Sequence, residues 1–86
     1  MYTVIILPRV QKSLRKYKNP ILKRILTAIK GLKDDPRPPG AKKLVGEENV
    51  WRVRVGDYRI LYTIEDEIRI ITVERVAHRK DSYRKK

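Results

Sequence analysis

Apolar and polar residues alternate most regularly between Trp51 and Ile64, in the run W-R-V-R-V-G-D-Y-R-I-L-Y-T-I. A period of two, broken only at Gly56-Asp57, predicts two strands joined by a two-residue hairpin. With those two residues as the turn, Val55 faces Tyr58, Arg54 faces Arg59 and Arg52 faces Leu61. Arg52, Arg54 and Arg59 then share one face of the sheet. Trp51, Val53, Val55, Tyr58, Ile60, Tyr62 and Ile64 take the other, which is the core face.

The pattern elsewhere supplies the remaining elements. Tyr2 to Leu7 reads as a buried or half-buried strand that Pro8 ends. From Arg9 to Lys18 the apolar positions Val10, Leu14 and Tyr17 fall on one helical face. Asn19-Pro20 breaks and restarts the helix, with Asn19 as N-cap and Pro20 at the first helical position. The second helix runs to about Lys33, where Ile21, Leu22, Ile25, Leu26, Ile29 and Leu32 form a wide apolar stripe suited to covering a sheet. Asp34 to Gly40 holds three prolines and is the connector between the helical and sheet halves. Lys42 to Gly46 is a short strand or the approach to one. After the hairpin comes a tight turn at Glu65-Asp66-Glu67, then a strand from Ile68 to Val76 whose apolar content predicts burial on both faces and a central position. The tail from Ala77 to Lys86 is short and basic and holds the one histidine, His78. The expected fold is α+β: a small, mostly antiparallel sheet covered on one face by an N-terminal helical hairpin, in the order β-α-α-β-β-β, as a single domain over residues 1–86.

Charge changes the picture from fold to partner. Twenty-two basic against ten acidic residues give a formal net charge of +12, which points to a polyanion such as nucleic acid or a ribonucleoprotein. Residues 1–30 carry eight Lys or Arg and no acid, while the acids gather mainly in the turns. Two arginines opposed across a strand pair repel, at about 0.2–1 kcal/mol where an opposite-charge pair would gain as much. One arginine outside an amphipathic strand is ordinary. Three on one face point to an anion, most simply a phosphate that accepts forked hydrogen bonds. Lys42 and Lys43 are further candidates for a phosphate backbone, and Arg84 for phosphate steering.

Other chemistries are poorly served. Without cysteine the chain has no disulfide or thiolate site, one histidine cannot build a zinc site, and no glycine-rich phosphate loop, Ser-His-Asp set or spaced carboxylate pair is present. No cofactor and no metal are expected. The N-terminal apolar run is too short for a signal peptide or a membrane span, so a soluble, cytoplasmic protein without membrane contact is expected. At 86 residues the fold buries only somewhat more than ~60% of its unfolded surface, so the core must be compact.

The element order, the L-x-G of Leu44-Val45-Gly46, the hairpin from Trp51 to Arg59 and the ending His78-Arg79-Lys80-Asp81-Ser82-Tyr83-Arg84 together resemble the RelE branch of the RelE/ParE toxin superfamily over nearly the full length. The resemblance implies a type II toxin that cleaves messenger RNA in the ribosomal A site without a metal and is silenced by a RelB-type antitoxin in a hetero-oligomer. By position it puts Arg52 and Arg54 on the basic pair of the hairpin, Arg59 on the phosphate-contacting arginine, Arg79 on the arginine of the tail and Tyr83 on the C-terminal tyrosine. Family members often carry lysines where this chain has Arg52 and Arg54, and arginine releases a proton far less readily. Arg54 or His78 would be the proton donor, Tyr83 the base or a stacking platform. Two other readings stay open: gyrase inhibition like the ParE branch, and RNA binding without catalysis.

Overall fold

The computed structural model describes residues 1–47, 49–78 and 80. Its elements in chain order are β1 (Thr3–Ile6), α1 (Pro8–Leu14), α2 (Ile21–Gly31), β2 (Lys42–Lys43), β3 (Val50–Val55), β4 (Tyr58–Glu65) and β5 (Ile70–His78). The strands form one sheet in the order β1-β5-β4-β3-β2. All pairs are antiparallel except β1 with β5, which run parallel, and the helical hairpin carries the chain from β1 at one edge of the sheet to β2 at the other. The α+β expectation and the element order are therefore met.

Both helices differ from the sequence reading at their ends. α1 starts on Pro8, whose fixed φ and missing N–H suit a first helical position, and stops at Leu14 instead of Lys18. Its end tightens into bonds of the i→i−3 kind, with the N–H groups of Arg15, Lys16 and Tyr17 donating to the carbonyls of Lys12, Ser13 and Leu14. Asn19 does not cap α2. The Asn19-Pro20 peptide is cis, Pro20 itself occupies the cap position, and the Leu22 N–H is satisfied by the Lys18 carbonyl at 3.0 Å with no side-chain cap.

The apolar stripe of α2 and the smaller one of α1 close over the sheet. Ile25, Leu32, Ile60, Tyr62, Ile71 and Val73 are the largest fully buried side chains, joined by Val10, Leu14, Ile29, Val53, Val55, Ile64 and Val76. Each large aliphatic side chain so buried contributes about 1.5–3 kcal/mol against chain entropy. Trp51, expected in the core, is only half-buried. It packs against the core from the rim, with the Arg37 guanidinium 4.9 Å from its ring centroid.

The last strand is where sequence and structure part most. Ile68 is 61% exposed, because the turn after Glu65 extends through Arg69, which takes φ +57°. The strand begins at Ile70 and runs on to His78, two residues past the expected end. It is central, between β1 and β4, yet mainly one of its faces is buried: Ile71, Val73 and Val76 look towards the helices. The phase changes at a bulge, where Leu61 pairs with Arg75 but Tyr62 with Val73, leaving Glu74 as the extra residue. Arg9 holds that bulge from the start of α1, through the Glu74 carbonyl and carboxylate, both at 3.3 Å.

The Pro-rich connector crosses the end of the sheet remote from the hairpin turn. The Tyr62 hydroxyl donates to the Pro36 carbonyl at 2.8 Å, and burial pushes that phenol up to about 12. Arg37 donates to both carboxylate oxygens of Asp66, at 2.9 and 3.4 Å, and the Tyr2 hydroxyl donates to Asp66 Oδ1 at 2.6 Å. The bonds from Arg37 and then Tyr2 hold the Asp66 carboxyl below its usual range, and the same carboxylate raises the Tyr2 phenol. This clamp ties the N-terminus, connector and β4–β5 turn together, and through Arg37 it seats Trp51 immediately before Arg52.

Candidate functional site

The hairpin pairs as the alternation requires: Val55 with Tyr58, Arg54 with Arg59, Arg52 with Leu61. Gly56 takes φ +59° at the first turn position, the place that a type II′ hairpin turn reserves for glycine. Arg52, Arg54 and Arg59 consequently lie on the face of the sheet away from the helices. Their environments differ. Arg54 is exposed, Arg52 half-buried and Arg59 only 6% exposed. Arg59 sits between Arg54 on β3 and Ala77 on β5, which is buried as well. A guanidinium fixed this deeply presents donors in one orientation, which is what a preorganised oxyanion site needs.

The neighbouring strands sort the other candidates. Lys42 pairs with Arg52 and so joins the cationic face, whereas Lys43 pairs with Trp51 and belongs to the opposite one. His78 pairs with Tyr58 and shares its helix-facing side, away from the arginines. Its ring meets Tyr58 edge-on at 5.0 Å between centroids, and Tyr58 in turn meets Tyr17 of the helical hairpin at 5.0 Å. The His78 Nδ1 accepts the Lys80 backbone N–H at 3.2 Å, which assigns the ring proton of the neutral form to Nε2. Packing of these rings accounts for His78 without any ligand. Arg79, Tyr83 and Arg84 lie outside the described residues. β5 reaches its end one register position beyond the Arg59–Ala77 pair.

One basic residue of this face was not legible in the alternation. Arg75 pairs with Leu61 on the arginine side because the bulge at Glu74 reverses the phase of β5; a regular strand would have turned it inward with Ile71 and Val73. Beside it a groove of about 480 Å³ is floored by Val50, Leu61 and Thr63 and bounded by Glu74 and Arg75. The face thus combines a row of cations, Lys42, Arg52, Arg54 and Arg59, with a shallow, partly apolar recess. That combination suits a phosphodiester strand whose bases are splayed against protein.

Comparison with known proteins gives the family. Residues 4–83 match the family described as the ParE toxin of type II toxin-antitoxin systems. The RelE1 protein of Methanocaldococcus jannaschii is 33% identical over 86 residues, covering 96% of each chain. The toxin of the archaeal RelE–RelB complex from Pyrococcus horikoshii superposes with a TM-score of 0.81 at 28% identity, over 91% of this chain and 94% of that one. A chain of the RelBE2 toxin–antitoxin complex from Mycobacterium tuberculosis superposes at 0.77 with 31% identity, over 90% and 96%. The relatives carry the RelE name while the family description carries the ParE name, and both are branches of one superfamily. On sequence and fold together, the chain belongs to the RelE/ParE superfamily of type II toxins, in its RelE branch.

Proposed function

We propose that this toxin is an endoribonuclease that cleaves messenger RNA held in the ribosomal A site, and that a RelB-type antitoxin neutralises it in a cytoplasmic hetero-oligomer. The observation that carries the reading is the directly opposed pair Arg54–Arg59, with Arg59 buried and Arg52 and Lys42 continuing the row. A fold does not need opposed arginines for stability, and an RNA phosphate between them removes the repulsion. Cleavage would proceed by attack of a ribose 2′-oxygen on the adjacent phosphorus. The 2′-proton passes to a base, the P–O5′ bond breaks, and the departing 5′-oxygen takes up a proton donated by Arg54, which regains one from water, leaving a 2′,3′-cyclic phosphate and a 5′-hydroxyl. Arg59 and Arg79 stabilise the charge of the pentavalent phosphorane, and Arg54 and Arg52 orient the strand. Tyr83 is the base that takes the 2′-proton. Because arginine holds its proton so firmly, most of the rate gain in this scheme is electrostatic and orientational, which makes the ribosome's positioning of the substrate essential.

Primer extension on a defined messenger RNA in a ribosome tests this with wild type, Arg54→Ala, Arg79→Ala and Tyr83→Phe. A new stop in the A-site codon, lost by orders of magnitude with Arg79→Ala while the fold is intact, is the expected result. No stop with folded wild-type protein refutes the nuclease and leaves ParE-like gyrase inhibition, then plain RNA binding, to be assayed.

A further inference from the structure

The groove beside Arg75 has a feature that phosphate binding does not explain. The face on which it opens is cationic, yet two of the chain's ten acids, Glu47 and Glu74, border it. A carboxylate next to a polyanionic strand repels it, so a face that held phosphates alone would be better without them. Glu74 is also held in place. Its Oε1 meets Arg9 Nη2 at 3.3 Å, its side chain is 37% exposed, and its Oε2 has no partner among the described residues. Between these charges the floor is of another kind, made by Val50, Leu61 and Thr63, all half-buried. Leu61 pairs with both Arg52 and Arg75, one row along from the Arg54–Arg59 pair. At about 3.4 Å per residue, Leu61 and Thr63 lie roughly 7 and 14 Å along β4 from Arg59, within reach of a neighbouring nucleotide of a strand whose phosphate sits at the arginines.

A splayed base satisfies both features, its flat face on the apolar floor and its edge on the carboxylate. The edge decides which base. Guanine alone among the four RNA bases presents two N–H donors side by side on its Watson–Crick edge, at N1 and N2, which a carboxylate accepts as a charge-assisted pair. Adenine and cytosine offer a donor beside an acceptor, and uracil a donor between two carbonyls. The guanine O6 next to those donors accepts from a guanidinium, and Arg9 and Arg75 both border the groove. We infer that this groove is a nucleobase pocket selective for guanine, with Glu74 as the residue that reads the base. The inference rests on the RNA part of the proposed function and on neither the ribosome nor the cleavage step.

The test uses the full chain and labelled 2′-O-methyl oligouridylates, which present the backbone but cannot be cut, each carrying guanine, adenine, cytosine or hypoxanthine at one central position. Fluorescence anisotropy should show guanine bound at least about tenfold more tightly than adenine or cytosine, with hypoxanthine, which lacks the N2 amino group, in between. Glu74→Gln keeps the shape and an acceptor for Arg9 but replaces one acceptor oxygen by a donor. It should abolish the guanine preference while binding plain oligouridylate at least as tightly as wild type does. Thr63→Leu fills the floor without changing charge and should abolish the preference too, a second route should Glu74→Gln disturb the bulge; circular dichroism verifies both folds. Glu47→Gln should keep the preference. Equal binding of all bases, no binding of any oligonucleotide at low salt, a preference that survives both groove variants, or equal loss with Glu47→Gln overturns the assignment. Primer extension on ribosomes separates this pocket from the proposed cleavage. An A-site cut by wild type with no base preference in anisotropy overturns the pocket alone, and a Glu74-dependent guanine preference without any cut supports the pocket and refutes the nuclease.

Discussion

Tyr62→Phe removes one oxygen from the centre of the fold and leaves the ring in place. The lost hydroxyl donates to the Pro36 carbonyl at 2.8 Å from a side chain with no exposed surface. A net hydrogen bond is worth about 0.5–1.5 kcal/mol, and more when the acceptor stays buried without a partner, so a loss of about 1.5 kcal/mol at neutral pH is expected. For a domain of this size that lowers Tm by about 6–12 °C. The pH dependence supplies the sharper test. Burial raises the phenol to about 12, whereas in the unfolded chain it titrates near 10. The raised value means that the stabilisation is complete below pH ~10 and is lost as pH rises towards ~12, because the unfolded chain ionises first. At pH 11 that loss is about 1.4 kcal/mol, from one proton held over the interval between the two values. Wild type should therefore forfeit nearly its whole advantage over Tyr62→Phe at pH 11, and the two Tm values should meet within a few degrees. Thermal unfolding followed by circular dichroism at pH 7, 9, 10 and 11 measures this, with the lysine titrations common to both proteins and cancelling in the difference. A gap that stays constant from pH 7 to 11 refutes the reasoning. Tyr62 lies on the helix side of the sheet, so the proposed RNA cleavage at 25 °C should be unchanged.

Arg54→Ala should leave Tm unchanged or slightly higher, since it relieves the repulsion with Arg59, while reducing the proposed A-site cleavage at least tenfold; a clear fall in Tm would show that the pair stabilises the fold. Gly56→Ala should cost about 1–2 kcal/mol from the positive φ alone, as the added Cβ meets only ordinary contacts, at 3.6 Å from Arg24 and 3.7 Å from Ile21. Chemical denaturation measures it, and an unchanged midpoint would count against the turn geometry. Asp66→Asn should lower Tm at pH 7 and flatten its decline in acid. The Asp66 carboxyl titrates below its usual range, so its contribution is present above pH ~4 and disappears as pH falls through the lower folded value. Parallel acid limbs for the two proteins would remove the Arg37 and Tyr2 bonds from the account.

Local pattern was sufficient for the hairpin and its register. Side chains alternate with a period of two and Gly56 tolerates the turn, so the opposition of Arg54 to Arg59 follows from neighbours in the chain. The same holds for the apolar stripe of α2 and for a connector that three prolines keep out of helix and sheet. Only the tertiary structure decided the rest, because it depends on residues far apart in sequence. Arg9 meets Glu74 across 65 positions to hold the bulge that turns Arg75 outward, and Arg37 reaches Asp66 across 29 to seat Trp51 at the rim. Pairing with β3 decided that Lys42 and not Lys43 joins the arginines, and pairing with β4 carried His78 to the side of Tyr58 and Tyr17. Arg59 looked in the sequence like Arg54, one more cation on an outer face. Its place on β4, flanked by paired residues of β3 and β5, is set by the tertiary fold and not by the residue's own period.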